Sequence, residues 1–333
     1  MRGYYEGCGF GIKNGNAQLA WLVMKNYKFV VLGSGVAAGH AVKELVQRKV
    51  EHGSVAVITA DDTLPYDRPP LSKGFLLGEK SPEDILIEDV DFYNDHCIEV
   101  RLRQPVVNVD FDAKELECNP DGEVGYEQLL ITTGSKVRRL EVPGAELDEL
   151  YYLRSLRDAQ RLRQRIARGG RAAVIGSGFI GMDGSRLRPG SQRRRADHDF
   201  SRGPRFEEIF TPEVSAFFQK YFAERGVKFM PNERVKAFLG TGKVERVYLE
   251  SGREVPVDFV VAGIGVTPAN DLFVGTGLEM NREGISGERV VTDQPARSLG
   301  GRRCCVLSGS DFWKTPPIGS LGQRSRAGKA RRA

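Results

Sequence analysis

An α/β fold of two doubly wound, three-layer parallel-sheet domains is what this sequence predicts, and three observations predict it. A strand, glycine turn, helix and strand follow one another from Lys28, and a second cycle of the same form starts at Arg171. The third is size: 333 residues with 40% hydrophobic content suffice for two domains, each with its own core.

Taken in order, residues 1–23 are Gly-rich and unpatterned and read as an unstructured extension, with Met24 as the natural start. The first unit is a strand over 28–32, a helix over 36–49 and a strand over 54–59, the length a βαβ unit requires. Strand-like runs return at Val106–Phe111 and Gln128–Thr132. A charged helix over Ser155–Arg168 leads into the strand Arg171–Ile175 and the turn at Gly176. Beyond Phe206 the pattern gives a helix from Pro212 to Arg225, an apolar run Val227–Met230, a hairpin near Gly240–Leu249 and a strand Phe259–Ala262. Gly184–Arg205 has no periodicity where the pattern demands a helix and a strand, and the chain degrades again after about Val291.

The net charge of +5 is unevenly spread. Residues 184–206 carry seven Arg against two Asp, and residues 294–333 seven Arg and two Lys against one Asp, leaving the rest of the chain at −8. No apolar run approaches the ~20 residues of a membrane span. Five cysteines show neither metal spacing nor a disulfide framework, and Cys97 and Cys118 read as buried or incidental thiols. A cytoplasmic protein is expected.

The run Val30 to Gly39 is a strand followed by G-x-G-x-x-A at the head of a helix. Gly33 permits the tight turn, Gly35 removes a side chain where a pyrophosphate approaches, and Ala38 lets helix and strand pack closely. This is the fingerprint of a Rossmann-like dinucleotide site, with the helix N-terminus offering N–H groups to the phosphates. Asp61 or Asp62, after the next strand, is placed to hold ribose hydroxyls, and Asp61 is preferred.

Leu64 to Leu76 then reads L-P-Y-D-R-P-P-L-S-K-G-F-L. By composition it is a rigid proline turn. It resembles the P-Y-[DE]-R-P-P-L-S-K segment of the FAD-dependent ferredoxin and rubredoxin reductases, a branch of the pyridine nucleotide-disulphide oxidoreductase family that includes monodehydroascorbate reductases and apoptosis-inducing-factor-like enzymes. The resemblance implies that Arg68 lies against the FAD pyrophosphate and that Lys73 sits beside the flavin, where a cation favours the anionic reduced ring. Disulfide reductases of this fold carry a Cys pair on the helix that here bears Lys73, so electrons are expected to leave from the flavin edge instead. Leu129–Ser135, with Thr133 and Gly134, is similar to the strand that returns to FAD. Val260–Asn270, with Gly263, resembles the crossover out of the NAD domain.

The second fingerprint, Ala173–Asp183, is a full strand and G-x-G-x-x-G, and the resemblance implies that Gly176, Gly178, Phe179, Ile180 and Gly181 lie at the pyrophosphate of NAD(P)H. Where the family has Glu near the nicotinamide, this chain has Asp183, one methylene shorter, as partner for Lys73. After Asp183 the pattern breaks: Pro189 and Gly190 oppose a helix by about 3 and 1 kcal/mol relative to Ala. An inserted loop and a basic nucleic-acid patch are two readings, the latter lacking interleaved aromatics. The favoured one is a shifted reading frame, since Gly184–Leu187 can be encoded by GGC AGC CGC CTG, which contains GCA GCC GCC, an alanine run. Arg303–Gly309 can likewise hide Asp-Val-Val-Tyr-Ser-Ala-Gly, similar to a family segment whose acid grips FAD. Resequencing tests this; an uninterrupted frame encoding these residues overturns it.

The expected organisation is an extension at 1–23, a first FAD-binding part at 24–147, an NAD(P)-binding domain at 148–265 and a second FAD-binding part from 266, with the family's C-terminal interface domain absent. The expected function is hydride transfer from NAD(P)H to FAD and release of electrons to a ferredoxin- or rubredoxin-like carrier, with weak FAD retention. The alternatives are a reductase of a small acceptor such as monodehydroascorbate or a quinone, and an inactive remnant that only binds partners. Nucleic acid and membrane are not expected partners.

Overall fold

The computed structural model describes residues 24–120, 122–176, 198–200, 211–224, 227–230, 233–281, 284–285 and 304–306. The extension at 1–23, Gly178, Phe179, Ile180, Gly181, Asp183 and the break at 184–197 lie outside them.

The first part of the chain runs β1 (Lys25–Leu32), α1 (Val36–Gln47), β2 (Val55–Ile58), α2 (Gly74–Leu77), α3 (Val90–Asp95), β3 (Glu99–Arg101), β4 (Val106–Asp110), β5 (Glu115–Cys118) and β6 (Gly122–Ile131). The strands form one sheet in the order β3-β2-β1-β6-β5-β4. Its first four members are parallel, as expected of a doubly wound fold. β4 and β5 are antiparallel additions. The cause is local: the Asp110 carboxylate accepts the N–H groups of Asp112 and Ala113, each at 2.8 Å, and Lys114 adopts a left-handed φ of 61°. A turn this short joins antiparallel neighbours, because a parallel pair needs a crossover of a dozen residues or more.

Alternation along β1 divides the core. Val30 and Leu32 join Ile58, Leu129 and Ile131 on one face, whereas Val31 joins Ala38, Val42, Val55 and Val57 of α1 and β2 on the other. Ala38 is fully buried there, as its place in the fingerprint requires.

The chain leaves this sheet through β7 (Ser135–Val137) and enters a second through β8 (Leu150–Tyr152), α4 (Leu156–Ala167), β9 (Ala172–Ile175), β10 (His198–Phe200), α5 (Pro212–Ala223), β11 (Val235–Leu239), β12 (Arg246–Leu249), β13 (Glu254–Pro256) and β14 (Phe259–Ala262). The order β10-β9-β14-β8 is wholly parallel. Leu162 of α4 covers one face with Ala172, Phe259 and Val261, and the antiparallel meander β11-β12-β13 covers the other through Phe238, Val247 and Leu249. A capping box starts α4: Ser155 Oγ accepts the Asp158 N–H at 3.1 Å, and Asp158 accepts that of Ser155 at 2.9 Å. Buried Arg165 fastens its other end, bonding Glu149 and donating to the carbonyls of Gly169 and Asp258 at 2.7 and 2.9 Å.

The return path is β15 (Val266–Pro268), which pairs antiparallel with β7, followed by the small hairpin of β16 (Met280–Asn281) and β17 (Gly284–Ile285). β18 (Cys304–Val306) lies parallel to Leu129–Ile131 of β6, so part of the segment that reads as degraded rejoins the first sheet. β10 likewise supplies the strand that 184–205 is expected to contain but does not advertise. Cys118 is buried, whereas Cys97 is disulfide-bonded, which departs from its reading as a buried or incidental thiol. Among the described residues no helix is long and apolar enough to cross a membrane.

Candidate dinucleotide-binding site

The first glycine turn sits at the carboxyl ends of β1, β2 and β6, where open parallel sheets bind ligands. The Gly33 N–H donates to the Ile58 carbonyl, and the Thr132 N–H to that of Leu32, both at 2.8 Å. Gly33 has φ +115°, and a Cβ there would stand 2.5 Å from the Thr132 carbonyl oxygen, so only glycine fits. Gly35 is different. It caps α1 without a side-chain acceptor, no acid follows in the first turn, and a Cβ would meet only Arg68 Nη2, at 3.6 Å. The orphan N–H groups of the helix thus open onto a space that, among the described residues, only Arg68 approaches at Gly35.

Arg68 is carried to that space by its neighbours. Pro69 and Pro70 occupy the first positions of a short 3-10 turn over Pro69–Ser72, which needs no N–H from them. The segment before it is held to residues 85–87 by Asp67 N–H to Ile85 O at 2.8 Å and Ile87 N–H to Pro65 O at 3.0 Å. The Arg68 guanidinium stacks 5.8 Å over the ring of buried Tyr66 and donates to the Arg154 carbonyl at 2.8 Å.

Sequence reasoning missed Arg154. Its Nε donates to Ser135 O at 3.1 Å, and its Nη2 lies 3.8 Å from the Cβ position of Gly134, the left-handed residue after β6. Neither Arg68 nor Arg154 makes an ion pair with a carboxylate among the described residues. Burial first, and then the facing charge of Arg68, push the Arg154 pKa down to about 10. A guanidinium keeps its proton in proteins, so the disfavoured charge is relieved by an anion rather than by titration. Tyr66 was missed as well. Its hydroxyl accepts the Leu156 N–H at 2.9 Å, tying the proline segment to the start of α4, and burial pushes its pKa up.

Asp61 is half-buried beside this group. Burial raises its pKa, while nearby Arg68 lowers it. Its N–H is held by Thr59 Oγ1 at 3.0 Å, which in turn bonds Ser34 Oγ of the glycine turn at 2.9 Å. Asp62 instead faces exposed Arg103 at 3.8 Å. The Thr133 hydroxyl is committed to the Ala269 carbonyl at 3.1 Å, so that residue offers the site its backbone. Lys73 precedes α2, and its side chain is exposed with no hydrogen bond or ion pair to another described residue.

The second turn repeats the first. Gly176 has φ +114°, its Cβ position is 2.3 Å from the Gly263 carbonyl oxygen, and the Gly263 N–H donates to Ile175 O at 2.8 Å. Gly263 thus plays toward Gly176 the part that Thr132 plays toward Gly33.

Two turns of one design, each at the carboxyl end of a parallel sheet, the first flanked by Arg68 and Arg154 without an ion pair among the described residues, define a protein of the two-dinucleotide class. Residues 27–297 match the family model described as pyridine nucleotide-disulphide oxidoreductase, and the chain belongs to that family. Members bind FAD and NAD(P)H. The chain is 33% identical to peroxisomal monodehydroascorbate reductase 1 of Arabidopsis thaliana over 78% of its own length and 64% of the relative's. It is 30% identical to rubredoxin-NAD(+) reductase of Ectopseudomonas oleovorans, covering 86% of this chain and 74% of that one. A ferredoxin reductase from Rhodopseudomonas palustris superposes with a TM-score of 0.72 at 26% identity, over 84% of this chain and 67% of that chain. Putidaredoxin reductase in its covalent complex with putidaredoxin gives 0.69 at 25%, over 78% and 62%. The chain spans less than two thirds of the length of the monodehydroascorbate reductase.

Proposed function

We propose that this chain binds FAD at the first turn and NAD(P)H at the second, and acts as an NAD(P)H-dependent reductase of a ferredoxin- or rubredoxin-like electron carrier in the cytoplasm. The observation that carries the reading is Arg68 at the uncapped N-terminus of α1 with Arg154 beside it at Gly134, neither ion-paired with a described residue. That arrangement fits a diphosphate bridging two nucleosides. Gly35 and Gly134 leave room for it, Asp61 takes the ribose hydroxyls, and Ala38 seats the helix. Gly176 and Gly263 make the corresponding turn, and the fingerprint residues Gly178, Phe179, Ile180 and Gly181 are assigned by their sequence to NAD(P)H.

Bound FAD supplies the ability to take up a hydride and release electrons one at a time. The chain's part is to fix charge around it: Lys73 provides an unpaired cation for the ring, and Asp183 sets the charge on the nicotinamide side. No cysteine occurs in 64–77, so no local dithiol carries the electrons. The organisation that goes with this reading is 24–147 and the segment from 266 for FAD, and 148–265 for NAD(P)H. The likeness to a monodehydroascorbate reductase at 33% identity favours a second reading, in which the acceptor is a small oxidant.

Titration with FAD followed by anaerobic NADH or NADPH tests the proposal. Flavin lost on purification is expected to rebind and then to bleach near 450 nm, with electrons passing to an added ferredoxin or rubredoxin. Failure to bind FAD overturns it; bleaching with transfer only to small oxidants selects the second reading.

A further inference from the structure

Helix α4 carries more arginine than its packing uses. Leu156, Ala159 and Leu162 face the core, and Arg165 is the buried clamp on Glu149, Gly169 and Asp258. Arg163 lies 5.7 Å over the Phe75 ring and against Gly78, joining α4 to α2. Three others have no such task. Arg157, Arg161 and Arg168 are exposed and make no hydrogen bond or ion pair with another described residue through their side chains. With Gln164 they stand at successive spacings of four, three and four, one stripe directly opposite the buried face and about 16 Å long. The helix's one acid, Asp158, is consumed by the capping box.

These charges do not help the helix to form. Like charges four residues apart repel, and Arg157 lies in the first turn, at the positive end of the helix dipole. Outside the two basic tracts the chain is net −8, so apart from those tracts an acidic partner is repelled by most of the chain and drawn to the stripe. The stripe begins three residues after Arg154, next to the cofactor site.

We propose that the exposed face of α4, through Arg157, Arg161 and Arg168, is the docking surface for the acidic face of the one-electron carrier protein. The proposal rests on the reductase reading for the identity of the partner. Nucleic acid is a poorer occupant, because three cations make few phosphate contacts and no aromatic residue stands among them on that face to stack with bases.

Binding of an acidic [2Fe–2S] ferredoxin to the full chain, with FAD supplied but no NAD(P)H, tests the assignment at about 50 and 300 mM salt. Wild-type affinity is expected to fall about tenfold or more across that range. The triple variant Arg157→Gln, Arg161→Gln, Arg168→Gln is expected to lose about tenfold at low salt, and the corresponding triple Lys variant to keep most of it. FAD affinity and the thermal midpoint are expected to hold in both. Carrier binding that is unchanged in the Gln variant overturns the proposal. So does duplex DNA binding that the Gln variant loses while ferredoxin does not bind at all. Because no electron transfer is read, a chain that binds ferredoxin through the stripe but is not reduced by NAD(P)H overturns the reductase reading alone.

Discussion

Arg68 holds Arg154 by the backbone and opposes it by charge. Its Nη1 donates to the Arg154 carbonyl at 2.8 Å, while the second guanidinium is anchored 3.1 Å from Ser135 O and desolvated. A pair of cations kept together in this way binds an anion more readily than it aids folding.

Replacing Arg154 by Gln is therefore expected to separate stability from binding. FAD affinity should fall about tenfold or more, the worth of a charge-assisted hydrogen bond. The melting temperature of the flavin-free chain should hold or rise, since a buried repulsion is removed. Flavin fluorescence quenching and a thermal melt read the two effects.

The glycines of the first turn should divide in the same manner. Gly33→Ala forces a Cβ onto the Thr132 carbonyl at positive φ and should cost about 2–3 kcal/mol in denaturant unfolding. Gly35→Ala meets only Arg68 Nη2 at 3.6 Å, so the flavin-free fold should stay within about 1 kcal/mol of wild type. FAD binding should nonetheless be lost. Equal destabilisation of both variants would sink the distinction.

Tyr66→Phe leaves the ring under Arg68 but removes the acceptor of the Leu156 N–H. A loss of about 1 kcal/mol in stability is expected. FAD affinity should weaken severalfold as the tie between the proline segment bearing Arg68 and the start of α4 beside Arg154 is lost, measured beside Tyr66→Leu, which removes the ring as well.

Burial raises the Asp61 pKa above its unfolded value, so its contribution to stability is full below the unfolded value near 3.8 and is lost as pH rises through the folded one. At neutral pH the ionised group opposes folding. Asp61→Asn should thus stabilise the flavin-free chain at pH 7 and have less effect near pH 4, while weakening FAD binding at pH 7. Urea unfolding at the two pH values checks the sign.

What the sequence made legible was whatever depends on short range. Gly33, Gly35 and Ala38 announce their turn because each glycine or alanine answers a local steric demand, and Pro69 and Pro70 announce a rigid segment. Arg154 and Tyr66 did not announce themselves, because their tasks arise only when residues 86 and 90 positions apart meet. The antiparallel β4 and β5 were hidden in the Asp110 turn, whose single side chain decides the direction of two strands. His198–Phe200 and Cys304–Val306 lack strand patterning; the edges of β9 and β6 give them their place.

The two connections between the sheets, β7 outward and β15 back, are hydrogen-bonded to each other from Val137–Val266 to Ser135–Pro268. They behave as one strap rather than two loose tethers. A hinge opening between the sheets must bend this ribbon whole, so the separation of the two glycine turns becomes a mechanical property of six residues that belong to neither. Lengthening one strand alone would shear the ribbon and change the distance between the turns without altering either.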